Sequence, residues 1–466
     1  MDRRGPAVID VKLNFFSPLP PTRSEIARLT TNLLPLLAEK AEVVVWSSEP
    51  QWDPTAEKHA TVRHYDPAHP PWRALSEADV TFYQMGNDPR YHHAIWRVSR
   101  QHPGIVILHD LMLQHFFAGL LHHDLGLSRR QYLEMVERHH GVQGRVLAES
   151  HLHGLLSTEE LGQQCPLTGG ATENALAVVV HSEAAYRLVS GALPAAYLPL
   201  CVCAPAPAEK PAVRSAGVPQ PPYRISLFGY LGPNRRLPAL LRALANFAQR
   251  DRFRLNIYGT IEGGEKILQL IGRLGLGDLV AMHGFVHQDE LDEALRRTDL
   301  VVNLRNPSMG EASASQLHLW QYGIPALVSR AAWYETLPEN TVAFVRPDHE
   351  AEDIQGHLGA FVDDPEKYRE LGRNGQRHVT ENHSMESYAR SLLELANRAP
   401  EFRSRWIARD LARSAASALR AWCDASTIEA FVPRVAQQIE KLARGHPRYA
   451  ATRGVGVTST ASEKSI

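Results

Sequence analysis

Residues 303–329 read NLRNPSMGEASASQLHLWQYGIPALVS, and this stretch decides the predicted fold. The apolar run that enters it, residues 300–304, stops at a polar turn that contains Pro307. Beyond the turn, apolar residues resume at helical spacing. An apolar run bounded by turn residues is typical of a buried strand. The stretch therefore predicts a strand, a loop and a helix, in the order found in doubly wound α/β sheets.

The turn concentrates polar and small residues where the helix is expected to begin. Its polar and glycine positions are Arg305, Asn306, Ser308, Gly310, Glu311, Ser313 and Ser315. Free N–H groups at a helix N-terminus attract anions, and small residues let a phosphate approach the main chain. Glu311 is better suited to accept hydrogen bonds from hydroxyl groups, so the turn indicates a ligand with both phosphate and sugar. A plain helix cap by Ser313 or Ser315 is the alternative.

Composition limits the class of protein. With 466 residues, 44% of them hydrophobic, the chain can form two sizeable cores. The 50 basic and 51 acidic side chains give a formal net charge of −1, so we expect no nucleic-acid partner and at most peripheral membrane association. The absence of a long apolar segment and of an apolar leader predicts a cytoplasmic protein. The four cysteines are expected to be reduced: Cys165, Cys201, Cys203 and Cys423.

The first half of the chain shows a repeated pattern of strands and helices. Residues 7–17 predict a first strand, apolar residues from Ile26 to Leu37 predict a helix, and Val43–Trp46 predicts the next strand. Two further strands are expected within residues 79–87 and 104–110. The second one ends at His109 and Asp110. Ligands of such sheets bind at the carboxyl ends of the strands, so both residues are candidates for a site.

The second half repeats the pattern after a linker. Residues 120–175 predict a helical, histidine-rich region, and its histidines lack the spacing of a zinc site. Because this insertion exceeds a minimal sheet domain, we interpret it as an acceptor-binding wall. Residues 204–222 are rich in Pro and Ala and predict an inter-domain linker. From residue 223, a strand ends in a glycine loop that contains Gly229, Arg235 and Arg236.

Several of these stretches together resemble the family 4 glycosyltransferases. The pattern N-L-R-x-P-x-x-G-E-x-S with a later G-x-P at Gly323–Pro325 is similar to that family's donor-sugar motif. Residues 103–115 resemble its P-G-x-V-x-L-H-D segment, and residues 228–236 its F-G loop, in which Arg235 takes the place of a phosphate-binding lysine. The resemblance covers residues 8–395. It implies a GT-B architecture: two doubly wound Rossmann-like α/β domains that face each other across a cleft.

The resemblance also implies which residues form the site. His109 and Glu311 would be the catalytic residues that contact the donor sugar. The other implied substrate contacts are Ser24, Gly229, Arg235, Arg236, Arg305, Ser308, Gly310, Ala312, Ser313 and His318. No metal and no cofactor are expected, because no Asp-x-Asp pair is present and arginines can carry the charge.

Two positions depart from the family pattern. Glu25 replaces a glycine that lies near the donor diphosphate, and His318 replaces a second glutamate that holds the ribose hydroxyls. A carboxylate near phosphate would repel it. Histidine can still form a hydrogen bond with a ribose, so His318 stays among the predicted contacts.

The implied domains are residues 1–203, with the acceptor side, and 223–398, with the nucleotide-sugar site. Additional helices over 399–445 and a disordered tail over 446–466 would follow. The implied function is a retaining transferase that moves a sugar from a nucleotide-sugar to a glycan, a lipid-linked glycan or a small molecule. The alternatives are a GT-B nucleotide-sugar epimerase and a non-catalytic nucleotide-sugar-binding or scaffold protein, the latter motivated by Glu25 and His318.

Overall fold

The chain forms two parallel β-sheets, each covered by helices on both faces. The structure is a computed structural model that describes residues 11–202, 219–422 and 431–439. The first sheet has seven strands and the second has six, and every neighbouring pair of strands is parallel. Parallel sheets need crossover connections, and helices supply them here.

The first sheet comprises residues 12–197. Its strands are β1 (Lys12–Phe16), β2 (Glu42–Ser47), β3 (Thr61–His64), β4 (Val80–Met85), β5 (Ile105–Leu108), β6 (Ala177–Val180) and β7 (Ala195–Tyr197). Their spatial order is β3-β2-β1-β4-β5-β6-β7. Alternate residues of one strand face opposite cores: Phe82 packs in one and Tyr83 in the other, and both are fully buried. The order reverses between β1 and β4, which makes this the topological switch point.

The helices of this domain follow the strands in sequence. They are α1 (Glu25–Ala38), α2 (Trp72–Leu75), α3 (Pro89–Ser99), α4 (Gln114–His122), α5 (Arg129–Leu152), α6 (Thr158–Gln164), α7 (Thr168–Thr172) and α8 (Glu183–Ser190). The helices α4 to α7 form the predicted insertion between β5 and β6. Capping boxes at Ser128 and Ser157 define the starts of α5 and α6, because each serine and the residue three positions later satisfy one another's backbone N–H.

The second sheet comprises residues 223–345. Its strands are β8 (Tyr223–Phe228), β9 (Phe253–Tyr258), β10 (Val280–Gly284), β11 (Leu300–Asn303), β12 (Ala326–Ser329) and β13 (Ala343–Val345). Their spatial order is β10-β9-β8-β11-β12-β13, so its switch point lies between β8 and β11. The covering helices are α9 (Leu237–Ala245), α10 (Gly264–Arg273), α11 (Gln288–Arg296), α12 (Ala314–Gln321), α13 (Glu350–Asp363) and α14 (Pro365–Asn382).

Two C-terminal helices return to the first domain. They are α15 (Met385–Asn397) and α16 (Ala399–Trp422). Tyr388, Leu392 and Leu395 of α15 belong to the same apolar core as Leu33 of α1 and Phe15 of β1. The predicted domain limit at residue 398 therefore falls inside this helical region, whereas packing on the first sheet already begins at Met385.

The predicted doubly wound α/β architecture is confirmed. Two short edge strands, β3 and β7, are additions that the sequence pattern did not indicate. The predicted disordered tail and most of the predicted linker lie outside the described residues. In the part of the chain that the structure describes, no helix combines the length and apolar character needed to cross a bilayer.

We expect Leu392→Ala to destabilise the first domain, although Leu392 follows the second domain in sequence. The side chain is 0% exposed. Truncation of a buried leucine typically costs about 2–5 kcal/mol of unfolding free energy. Urea denaturation, followed by hydrogen exchange of the β1 and β2 amides, measures this loss. The exposed neighbour variant Glu394→Ala is the control, and equal effects of the two substitutions would contradict the packing.

Candidate active site

The predicted site residues lie where the carboxyl ends of the two sheets face each other. In the first domain, His109 follows β5, and Gln84 lies near the end of β4. In the second domain, Gly229 follows β8 and Arg305 lies just beyond β11, on the two sides of the switch point. The crevice outside the strand ends at a switch point is the usual ligand site of such sheets.

The loop 305–313 of the second domain docks directly on the first domain. The carbonyl of Met309 accepts hydrogen bonds from the backbone N–H groups of Leu111, at 3.1 Å, and Met112, at 2.9 Å. Gln163 of α6 donates to the Ser308 carbonyl at 2.7 Å. Gly310 has φ +77°, and a Cβ at this position would lie 2.5 Å from Leu111 Cβ. Glycine is therefore required both by the backbone conformation and by the close approach.

Glu311 is held in place by its own loop. Its Oε2 accepts hydrogen bonds from Ser308 Oγ at 3.0 Å and from the Met309 N–H at 2.8 Å. Its Oε1 lies 3.6 Å from Arg305 Nε. A carboxylate has about four lone-pair sites, so Glu311 can still accept a hydrogen bond from a ligand hydroxyl.

Arg235 is buried behind this loop. Its side chain donates to Asn303 Oδ1 and to the Phe228 carbonyl, both at 2.8 Å, and the residue is only 2% exposed. Its Nε is buried without a hydrogen-bond partner. Burial, followed by repulsion from Arg305, lowers the pKa of Arg235 to about 9. In the described residues, no carboxylate forms a hydrogen bond with this guanidinium.

Arg236 is engaged elsewhere. Its guanidinium forms a bidentate ion pair with Glu350, the first residue of α13, at distances of 2.7 to 2.9 Å. Glu350 is 7% exposed, whereas the Arg236 side chain is 37% exposed, so the pair is buried on the carboxylate side only. Arg305 has a side chain that is 21% exposed, and its Nε, which is buried without a hydrogen-bond partner, lies beside Glu311.

Three backbone N–H groups before α12 are free. Within the described ranges, the amides of Glu311, Ala312 and Ser313 have no hydrogen-bond acceptor. Ser313 caps the helix, since its Oγ accepts from the Gln316 N–H at 3.1 Å. Free amides at a helix N-terminus favour a bound anion.

His109 is part of a hydrogen-bonded chain that extends into the first domain. Its Nε2 lies 2.6 Å from Gln84 Oε1, and its ring centre lies 4.9 Å from that of His181. Burial, then the neighbouring His181 and His92, lowers the pKa of His109 well below its usual range. His109 is therefore neutral at physiological pH.

Asp110 faces the second domain across the cleft. Its Oδ2 accepts from the Asn87 N–H at 2.9 Å. Burial, with added repulsion from Glu311, raises the pKa of Asp110 to about 7. The Asp110 carboxyl group therefore titrates within the physiological pH range.

The remaining predicted contacts have diverse surroundings. Ser24 is the N-cap residue of α1, but its hydroxyl makes no capping bond. Gly229 has φ +101°, and the Gly259 backbone packs against it. Ala312 is buried in an apolar cluster. His318 turns toward α11, where its Nε2 lies 3.1 Å from Asp292 Oδ1.

Glu25, one of the two residues that depart from the family pattern, lies at the surface. Its carboxylate pairs with Arg28 at 2.7 Å and has 63% side-chain exposure. In the described ranges, no three His, Cys, Asp or Glu side chains converge as a metal site would require.

Sequence reasoning did not identify Gln84, Asn303 or Glu350. These residues hold His109, Arg235 and Arg236, respectively. Gln84 and Asn303 lie near the carboxyl ends of predicted strands, and Asn303 is also the first residue of the N-L-R-x-P motif. Glu350 carried no signal, because it lies 114 positions from its partner.

Gly310→Ala is expected to weaken the docking of the two domains. The added Cβ would meet Leu111 and would also pay the cost of a positive φ, about 1–2 kcal/mol. The Leu111 and Met112 amides should then exchange with solvent at least about tenfold faster by hydrogen-exchange mass spectrometry.

Gly126→Ala is the matched control. Gly126 has φ +86°, and no heavy atom lies within 4 Å of its ideal Cβ position. In Gly126→Ala, only the free-energy cost of a positive φ arises, without a steric clash. If both variants left the exchange of the Leu111 and Met112 amides unchanged, the docking contact would not exist in solution.

Asp110→Asn is expected to stabilise the protein increasingly as pH rises. The folded pKa of Asp110 is about 7, against 3.8 in the unfolded chain. The folded state therefore binds more protons between these values, and the wild type loses stability as pH rises through this window. Asparagine stays neutral and can still accept the bond from Asn87.

Urea denaturation of both proteins at pH 4, 6 and 8 measures this difference. Asp53→Asn is the contrasting control, because a hydrogen bond from the Thr55 side chain lowers the pKa of Asp53. Its effect should have the opposite sign. A stability difference between Asp110→Asn and wild type that stays constant with pH would contradict the raised pKa.

A protein-family model matches part of the second domain. Residues 235–394 match the family described as Glycosyl transferase-like. This segment starts at Arg235 and includes the loop 305–313 and α12.

Two curated proteins are similar over part of their length. An MMP alpha-(1->4)-mannosyltransferase of Mycolicibacterium hassiacum is 26% identical over 160 residues, which is 34% of this chain and 38% of that protein. A D-inositol 3-phosphate glycosyltransferase of Streptomyces griseus is 27% identical over 187 residues, which is 37% of this chain and 39% of that protein. The chain thus spans less than half the length of the curated relatives it matches.

Solved structures are similar over most of the chain. Sucrose-phosphate synthase from Thermosynechococcus elongatus has a TM-score of 0.56 at 16% identity, covering 83% of this chain and 98% of that one. HepE of Anabaena in complex with UDP-glucose has a TM-score of 0.56 at 14% identity, covering 83% and 99%. At these identities the likeness concerns the fold, and it confirms that the chain has the GT-B architecture.

Proposed function

We propose that this protein is a retaining glycosyltransferase that moves a sugar from a nucleotide-sugar donor to an acceptor. The observation that carries the proposal is Arg235, a buried guanidinium whose hydrogen-bond partners are both neutral. A buried cation without a paired anion costs several kcal/mol. An anion bound nearby would offset this cost, and the adjacent cleft has the features of an anion site.

The diphosphate of a nucleotide-sugar fits that cleft. The free amides of Glu311, Ala312 and Ser313 would donate to phosphate oxygens, and Arg305 would supply a cation at the loop surface. Arg235 would act from behind the loop through its charge, since its own N–H groups are engaged or buried. This division of roles differs from the direct contacts predicted for Arg235 and Arg236.

The sugar would lie between the two domains. Glu311, on the second domain, has lone pairs available for a sugar hydroxyl, and His109 faces the cleft from the first domain. Transfer develops negative charge on the leaving diphosphate and positive charge on the sugar ring. Arginine and N–H groups on one side, with neutral His109 on the other, match this charge distribution.

Retention of configuration follows if the acceptor attacks from the face that the diphosphate leaves. That course needs no enzyme nucleophile. It also needs no metal in this proposal, because Arg305, Arg235 and the amides would stabilise the leaving group. The insertion α4 to α7 would form the acceptor side, since α6 contacts the docked loop through Gln163. The acceptor would be a glycan, a lipid-linked glycan or a small molecule.

A panel of UDP-, GDP- and TDP-sugars tests the proposal. One donor should raise the melting temperature of the wild type and be slowly hydrolysed to the nucleoside diphosphate. Arg305→Ala should lower the rate of diphosphate release by about 100-fold or more, because it removes a charge aimed at the leaving group.

Arg373→Ala is the matched control. Arg373 also lies in the second domain and pairs with carboxylates, Glu366 and Glu370, but on the surface of α14. It should leave binding and hydrolysis unchanged. If no donor in the panel binds the wild type, the transferase proposal fails and a scaffold function is favoured.

A further inference from the structure

We propose that Gln84 is a positioning residue that fixes His109 as a hydrogen-bond acceptor toward the donor sugar, so that the donor must present a hydroxyl there. This inference rests on the proposed function. Beyond that function, it assigns a positioning role to Gln84, a single tautomer to His109 and a hydroxyl group to the donor sugar.

The direction of the hydrogen-bonded chain is set at its inner end by a backbone carbonyl. Ser17 Oγ donates its single hydrogen to the Pro18 carbonyl at 2.8 Å. Ser17 Oγ also lies 2.8 Å from Thr30 Oγ1. Because the Ser17 hydrogen is already used, Thr30 must donate to Ser17.

This leaves Thr30 Oγ1 as an acceptor for the next member. Gln84 Nε2 lies 3.3 Å from it and can only donate, so the amide oxygen of Gln84 must face the other way. Gln84 is 0% exposed, and its backbone carbonyl accepts from His92 Nδ1 at 3.0 Å. The contact with Thr30 sets the orientation of the Gln84 side-chain amide.

The chain ends at His109. Gln84 Oε1 lies 2.6 Å from His109 Nε2, and an amide oxygen can only accept, so Nε2 carries the hydrogen. In a neutral ring, Nδ1 then has a lone pair. In the described part of the chain this atom forms no hydrogen bond, and it is not among the buried atoms left without a partner. Nδ1 is therefore not fully buried and is available as an acceptor.

The groups around His109 keep the ring neutral. The titratable side chains that face it are His181, at the end of β6, and His92, on α3. Burial lowers the pKa of each of these two histidines to about 4, so neither brings charge at neutral pH. No described carboxylate is hydrogen-bonded to His109.

A neutral His109 with a lone pair on Nδ1 would select for a hydroxyl group on the donor sugar. A neutral acceptor binds a hydroxyl that donates, but it has no attraction for a fluorine or a carboxylate at the same place. It also leaves no cation beside a sugar ring that becomes positive in the transition state. Protonation of His109 would reverse both properties.

The first test needs no donor. Protein with 15N-labelled histidine is studied by NMR between pH 5 and pH 8, with His109→Gln used to assign the His109 signals. The wild type should show a neutral ring with hydrogen on Nε2 throughout. Gln84→Glu should raise the pKa of His109 above its ordinary value of about 6.5, because a carboxylate stabilises the imidazolium.

Gln84→Met provides the second variant, since it keeps the volume and removes the acceptor. It should let the hydrogen move to Nδ1. A wild-type ring with hydrogen on Nδ1, or a Gln84→Glu spectrum without a raised His109 pKa, would overturn the inference, whatever the donor experiments show.

The second test uses the donor identified in the panel and its monodeoxyfluoro analogues. In the wild type, replacement of one hydroxyl by fluorine should reduce kcat/KM by at least tenfold. Asp110, with its pKa raised to about 7, titrates in the wild type and in Gln84→Glu alike, so the pH profiles of kcat of the two proteins are compared with each other. Relative to the wild type, kcat of Gln84→Glu should show an additional fall as pH is lowered through the raised pKa of His109, with KM changing less. If the wild type turns over the donor but Gln84→Glu has the same pH profile as the wild type, only the inference about Gln84 is overturned. If no donor binds the wild type, the proposed function itself is contradicted.

Discussion

The site depends on one contact, the acceptance of two N–H groups by the Met309 carbonyl. Together with the bond from Gln163 to the Ser308 carbonyl, this contact joins the loop 305–313 to the first domain, where Glu311 faces Asp110. Each such hydrogen bond contributes only about 0.5–1.5 kcal/mol net. Gly310 permits this approach, since any side chain there would meet Leu111.

The electrostatics of the cleft follow from this arrangement. The second domain contributes cations: Arg235, held on neutral partners, and Arg305, beside Glu311. The first domain contributes groups that become neutral because they are desolvated, namely His109 and, over part of the physiological range, Asp110. Charge is therefore concentrated on one wall. A ligand that is anionic at one end and neutral at the other would match both walls.

Much of the fold could be predicted from the sequence, because strands buried on both faces are apolar throughout. Val43–Trp46 and Ile105–Leu108 are examples. The edge strand β3 escaped detection because three of its four residues are exposed, so the apolar signal was missing. The amphipathic pattern of α15 indicated a buried face but not which of the two cores it would join.

The site was predictable in its location but not in its contacts. Strand ends placed His109 and the loop 305–313 in one crevice. The sequence pattern could not indicate that Arg236 would pair with Glu350. Nor could it indicate that Gln84 would lie against Thr30, 54 positions earlier. Such pairings depend on tertiary packing and rotamers, which a local motif does not encode. Arg235 and Arg236 are the clearest case: the resemblance implied that both contact the substrate, whereas the structure pairs them with Asn303 and Glu350.

The return of α15 to the first domain gives the protein two covalent crossings between its halves. One lies between residues 202 and 219, and the other between His383 and Met385. His383 ties them together, since its carbonyl accepts from the Val202 N–H at 3.1 Å and its Nδ1 donates to the Leu200 carbonyl at 2.6 Å. The segment that ends at Val202 and the segment that re-enters the first domain at Met385 are therefore joined to each other by hydrogen bonds at His383.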